Sequence, residues 1–140
     1  MTRFQLSMCM MLTLFALCVG CNSKPEPVPV TMTVQHKGKP VSDVRINLIG
    51  STGSSSFAFT DSSGKSEGFK SAGVDGVVPG EYTVTLASKE ETALDSGDAD
   101  YSAKPAKVSF PAKYKSSVSS DQKITVDSSG ENNFTVELTD

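Results

Sequence analysis

The sequence predicts an all-β fold: one antiparallel β-sandwich in a single domain. Three observations point there. Apolar residues alternate with polar ones in seven short runs. Clusters of Asp, Ser, Gly and Pro separate those runs. No window repeats apolar residues at the spacing of an amphipathic helix. Period-two alternation puts every second side chain on one face of a strand, and short strands punctuated by turn residues pack as two layers.

The runs follow in order along the chain. Val28, Val30, Met32 and Val34 alternate with Pro29, Thr31 and Thr33. Val44, Ile46 and Leu48 alternate with Arg45 and Asn47, and Phe57 and Phe59 flank Ala58. Tyr82, Val84 and Leu86 alternate with Thr83 and Thr85. Val108 and Phe110 flank Ser109, and Ile124 and Val126 flank Thr125. Phe134, Val136 and Leu138 close the series. Between them, His36–Pro40, Gly50–Gly53, Asp61–Gly64, Val78–Gly80 and Asp127–Gly130 carry turn chemistry. Asp accepts hydrogen bonds from nearby backbone N–H groups, and Gly takes positive φ without strain. Residues 88–104 break the pattern as a long acidic loop with Glu90, Glu91, Asp95, Asp98 and Asp100. Loops beyond about 12–15 residues are usually functional or mobile.

Residues 1–20 read differently. Arg3 precedes Met8–Val19, a run of 12 residues that is apolar except for Thr13. As a helix it would extend about 18 Å, short of a hydrocarbon core of about 30 Å, which fits a signal peptide better than a spanning anchor. Without those 20 residues, 120 remain, with 12 basic and 16 acidic side chains and a net charge of −4. That balance argues against a nucleic-acid binder, which needs a basic face. Leu, Ile, Val and Phe make up 25 of the 120, enough for one modest core.

The end of the leader, Leu17-Cys18-Val19-Gly20-Cys21, resembles the lipobox of bacterial lipoproteins, with Cys18 where Leu is usual. The resemblance implies cleavage before Cys21 and acylation of its thiol. Two or three acyl chains anchor stably where one holds only marginally. Cys9 and Cys18 would leave with the leader, so the folded part would hold no thiol for a disulfide, metal or nucleophile. Residues 21–27 then form the lipidated Cys and a Pro-rich tether, and 28–140 the sandwich. Asn22 is not the Asp that retains enterobacterial lipoproteins at the inner membrane, which favours the outer one.

Val30–Leu48 with its Gly38-Lys39-Pro40, Thr60-Asp61-Ser62-Ser63-Gly64-Lys65, and Val78-Pro79-Gly80-Glu81-Tyr82 resemble the successive motifs of carboxypeptidase regulatory-like domains. The tail from Phe110 resembles small planctomycete lipoproteins carrying that domain. The resemblance implies a transthyretin-like (prealbumin-like) Greek-key sandwich and no catalytic residues. Gly38 is expected to allow a hairpin, Pro40 to open the next strand, Pro79-Gly80 to make a type II turn and Tyr82 to enter the core.

Candidate chemistry is sparse. His36 is the sole histidine and lies in a turn motif, so a Ser-His-Asp hydrolase lacks a placed base. Asp95, Asp98 and Asp100 are hard oxygen donors for Ca²⁺, but neither loop phasing supplies the Gly and Glu of an EF-hand. No other metal or cofactor is expected. Tyr101 and Tyr114 are the candidate platform for a glycan, as in starch-binding-like modules, with packing as their competing role. The expectation is therefore a non-enzymatic, extracytoplasmic module, held to the membrane by lipid, that meets an envelope protein or glycan. A carbohydrate-binding module, an envelope hydrolase using acids such as Glu90 or Asp95, and an assembly subunit using an exposed edge strand are the alternatives.

Overall fold

The computed structural model describes residues 25–66, 68–89 and 110–140. Among these residues, ten strands form two sheets: β1 Val30–His36, β2 Lys39–Pro40, β3 Val44–Gly50, β4 Ser55–Phe59, β5 Lys65–Ser66, β6 Lys70–Ser71, β7 Val74–Asp75, β8 Gly80–Ser88, β9 Lys123–Val126 and β10 Asn132–Leu138. One sheet runs β10-β1-β2, with β5 also paired to β1; the other runs β7-β6-β4-β3-β8-β9. The inward side chains of both sheets build one core. It includes Met32 and Val34 of β1, Ile46 and Leu48 of β3, Val84 and Leu86 of β8, and Val136 and Leu138 of β10. The all-β sandwich class holds, and the alternation on β1, β3, β8 and β10 gives the buried face that the sequence predicts.

Several details differ. β1 and β10 pair in parallel over all seven residues, Val30 to Asn132 through His36 to Leu138, in an otherwise antiparallel set. A parallel pair needs a long connection, and here nearly the whole domain is that connection. The four two-residue strands lack enough alternation to register in a sequence pattern. Phe57 and Phe59 face outward, and Ser56 and Ala58 face the core. The phase of β4 is fixed by β3, where inward Ile46 lies opposite Ala58. Val108 and Ser109 lie outside the described residues, and Phe110 is not in a strand.

The turns show how the chain passes between layers. Lys37 (φ +55) and Gly38 (φ +70) both take the left-handed conformation between paired His36 and Lys39. This is the two-residue hairpin turn whose twist matches its strands. Pro40 therefore ends the short β2 rather than opening β3. At Asp61–Gly64 the chain leaves β4 of one sheet for β5 of the other. Asp61 Oδ1 accepts from Ser63 N at 2.8 Å, Ser63 Oγ at 2.7 Å and Lys65 N at 3.0 Å. Gly64 (φ +74) approaches β1 so closely that an added Cβ would lie 2.6 Å from the Val34 carbonyl. Gly80 has φ +153, far from the value a type II turn requires at that position, so Pro79-Gly80 is a strand entry. Tyr82 is buried as expected, and its hydroxyl donates to the Val78 carbonyl at 2.7 Å, tying the entry down.

Candidate functional site

Three places on the described surface could do more than hold the fold. The first is where the chain enters. Pro25, Pro27 and Pro29 cannot continue a helix, and Val28 between them docks sideways on Val77. Val28 N donates to Val77 O at 2.8 Å, and Val77 N donates back at 2.9 Å. Gly76 (φ +106) makes room: a Cβ there would lie 2.9 Å from the Pro27 Cβ and 3.0 Å from the Val28 carbonyl. A cleft of about 370 Å³ beside this clamp is walled by Pro27, Pro29, Thr31, Phe69 and Asp75. Prolines and one carboxylate suit it to holding a chain, not to reacting with a ligand.

The second is a groove of about 490 Å³ over the start of β8 and β9, lined among others by Ile49, Glu81, Thr83, Ser117, Lys123 and Thr125. Its hydroxyls and one pair of opposite charges could bind a polar group. Glu81 is the lone carboxylate in the lining, so the two-carboxylate arrangement of a glycoside hydrolase is not found here.

The third lies at the far end of β1. His36 Nε2 is 3.0 Å from Asp140 Oδ1, and Lys37 Nζ pairs with Asp140 Oδ2. Lys37 first, then His36, holds the Asp140 carboxyl below its ordinary pKa. Glu137 Oε1 accepts from Gly38 N at 3.0 Å. His36 thus sits at a strand end, its side chain largely covered, and ties the hairpin to the C-terminal strand. No described hydroxyl is hydrogen-bonded to it.

Cys21, Asp95, Asp98, Asp100 and Tyr101 lie outside the described residues, as does Glu90. Among the described residues no group of three His, Cys, Asp or Glu side chains is placed to hold a metal. Tyr114 corrects the glycan-platform expectation for that residue. It is 1% exposed, in the 3₁₀ turn Ala112–Lys115, with its ring in the core. Its hydroxyl accepts from Thr139 N at 3.0 Å. Lys113 Nζ lies 5.1 Å from the ring centroid and pairs with Asp121 at 2.9 Å. Asp121 is the main cause raising the Lys113 pKa.

The outward face of the six-stranded sheet was not foreseen. Arg45 stacks 4.2 Å over Phe57, and Phe57 meets Phe59 edge-on with centroids 6.1 Å apart. Phe59 is 39% exposed. The signal was small Ser56 and Ala58 alternating with large Phe57 and Phe59, a pattern equally consistent with either phase. Comparison with protein-family models, curated proteins and solved structures found no match.

Proposed function

We propose that this chain is a lipid-anchored module of the bacterial cell envelope, without enzymatic activity, that presents its sandwich to an envelope protein or glycan. It would be of the carboxypeptidase regulatory-like, transthyretin-like kind. One observation carries the reading: the chain is clamped at Val28–Val77, seven residues after Cys21. Seven residues reach at most about 25 Å when fully extended. A lipid on Cys21 would therefore keep the clamped end of the sandwich close to the headgroups and turn the His36–Asp140 end outward. β1 runs away from the clamp toward that outer end. The mature thiol-free domain needs no oxidant to fold, and its buried chemistry-bearing side chains serve as packing or strand ties.

The test is the mass of the native chain extracted from envelopes. A diacylglyceryl-modified peptide beginning at Cys21 is expected, and Cys21→Ser should abolish both the modification and retention in the membrane fraction. An unmodified Cys21, or an intact Met1, refutes the anchor. The glycan-binding alternative now rests on Tyr101, because Tyr114 is buried.

A further inference from the structure

The sheet edges differ sharply in length. Among the described residues, β7 exposes an edge of two residues and β9 one of four. The second flank of β1 is taken by β2 and β5. Among the described residues, β10 alone offers seven consecutive residues, Asn132–Leu138, with a described partner on one side only. A long strand edge of unsatisfied N–H and C=O groups is a template for another strand, and proteins usually blunt it with Pro, Lys or a bulge. β10 has none of these. Its single charge, Glu137, is already turned back to cap Gly38 N.

We propose that a second copy of this chain pairs antiparallel along β10, on a two-fold axis through Thr135. The register follows from charge and facing. Even offsets keep inward residues opposite inward ones. Centring on Thr135 sets Phe134 opposite Val136 and Asn132 opposite Leu138 on the core side. On the outer side it sets Asn133 opposite Glu137, an amide against a carboxylate. All seven residues pair. Moving the axis to Phe134 places Glu131 opposite Glu137, and moving it to Glu137 sets that carboxylate against itself; like charges directly opposite are destabilising. Moving it to Val136 leaves only Phe134–Leu138 overlapping. The Thr135 axis also brings the second copy's Glu131 opposite Thr139, whose Oγ1 is 2.9 Å from Lys113 Nζ. Half-buried Phe134 would be covered by the second copy's Val136, extending the core across the axis. The pairing joins two four-stranded sheets into one and leaves the clamp at Val28 free in both copies.

This pairing stands apart from the lipid anchor, and its test does not depend on acylation. Sedimentation of the full chain, in detergent as produced, should show a concentration-dependent monomer–dimer equilibrium. Thr135 is exposed, so Thr135→Lys should match the wild-type urea midpoint at concentrations low enough for both chains to be monomeric, yet weaken dimerisation by at least about tenfold, because two like charges meet on the axis. Residues directly opposite lie within disulfide reach, so Thr135→Cys should give a 135–135 crosslinked peptide on oxidation. A chain that stays monomeric at every concentration overturns the proposal. So does a Thr135→Lys dimer of undiminished strength, or self-crosslinking of Asn133→Cys in place of Thr135→Cys.

Discussion

Replacing Tyr114 with Ala removes the largest side chain that the core buries almost completely. A buried aromatic ring covers roughly 150–250 Å², and at about 25 cal/mol per Å² that is an upper bound of about 4–6 kcal/mol. Large-to-small aromatic substitutions in cores cost about 3–5 kcal/mol, depending on how far the site collapses. The 3₁₀ turn is short and held at Pro111, so collapse should be limited; about 4 kcal/mol is expected. That is a large part of the roughly 5–15 kcal/mol a domain has. Urea unfolding followed by tyrosine fluorescence or circular dichroism gives the loss directly, with Tyr114→Phe as the control. The Phe variant keeps the ring and gives up the hydroxyl's contacts with Thr139, to its N at 3.0 Å and its carbonyl and Oγ1 at 3.3 Å, so it should lose about 1–2 kcal/mol. If Tyr114→Ala lost no more than Tyr114→Phe, the ring would not be core, and its reading as a ligand platform would return.

Four further substitutions probe the turns and the clamp. Gly64→Ala must hold φ +74 with its Cβ against the Val34 carbonyl, and should lose more than the roughly 1–2 kcal/mol that a left-handed non-glycine residue costs alone, measured by thermal unfolding. Asn132 closes the β9–β10 loop, accepting from Asp127 N at 2.9 Å and donating to Asp127 O at 3.1 Å. Asn132→Ala should cost about 2 kcal/mol in urea unfolding. Gly76→Ala must hold φ +106 and should lower the urea midpoint while unseating Val28, so residues 25–29 become cleavable in limited proteolysis at urea concentrations well below that midpoint; continued protection there would refute the clamp. The Asp61 pKa is lowered, first by the Ser63 hydroxyl and then by the Lys65 amide. A carboxylate with a depressed folded-state pKa stabilises above its unfolded value, about 3.9, and that contribution is lost as pH falls through the folded-state pKa. Stability should therefore fall on acidification below about pH 4, and Asp61→Asn should reduce that dependence in unfolding curves.

What the sequence could reveal was set by how local each feature is. The inward faces of β1, β3, β8 and β10 were legible because alternation is a property of neighbouring residues. The turns at Gly38 and Asp61 were legible for the same reason. The phase of β4 was not: Phe57 and Phe59 look like core residues until β3 places Ile46 opposite Ala58. The parallel union of β1 with β10 joins residues about a hundred positions apart, and no local pattern announces it. Tyr114 shows the same limit, since its hydroxyl is bonded to Thr139, 25 positions along the chain, just past β10. The clamp left one trace, Gly76, but a glycine after an Asp reads first as a turn.

The position of β1 gives the proposed anchor a mechanical consequence. The strand that follows the tether lies inside its sheet, not at an edge. β10 flanks it along its full length, and β2 and β5 flank it on the other side. A pull on Cys21 would act along the axis of β1, so its ladder hydrogen bonds would be loaded together in shear and not opened one at a time. The Val28–Val77 bridge is arranged differently. It consists of two hydrogen bonds outside the ladders, next to prolines that add no N–H donor of their own. Under such tension this clamp would open first and lengthen the tether by a few residues before β1 moved. The sandwich would then stay intact while its distance from the membrane adjusts. A chain in which β1 stood at an edge would lack that order of events.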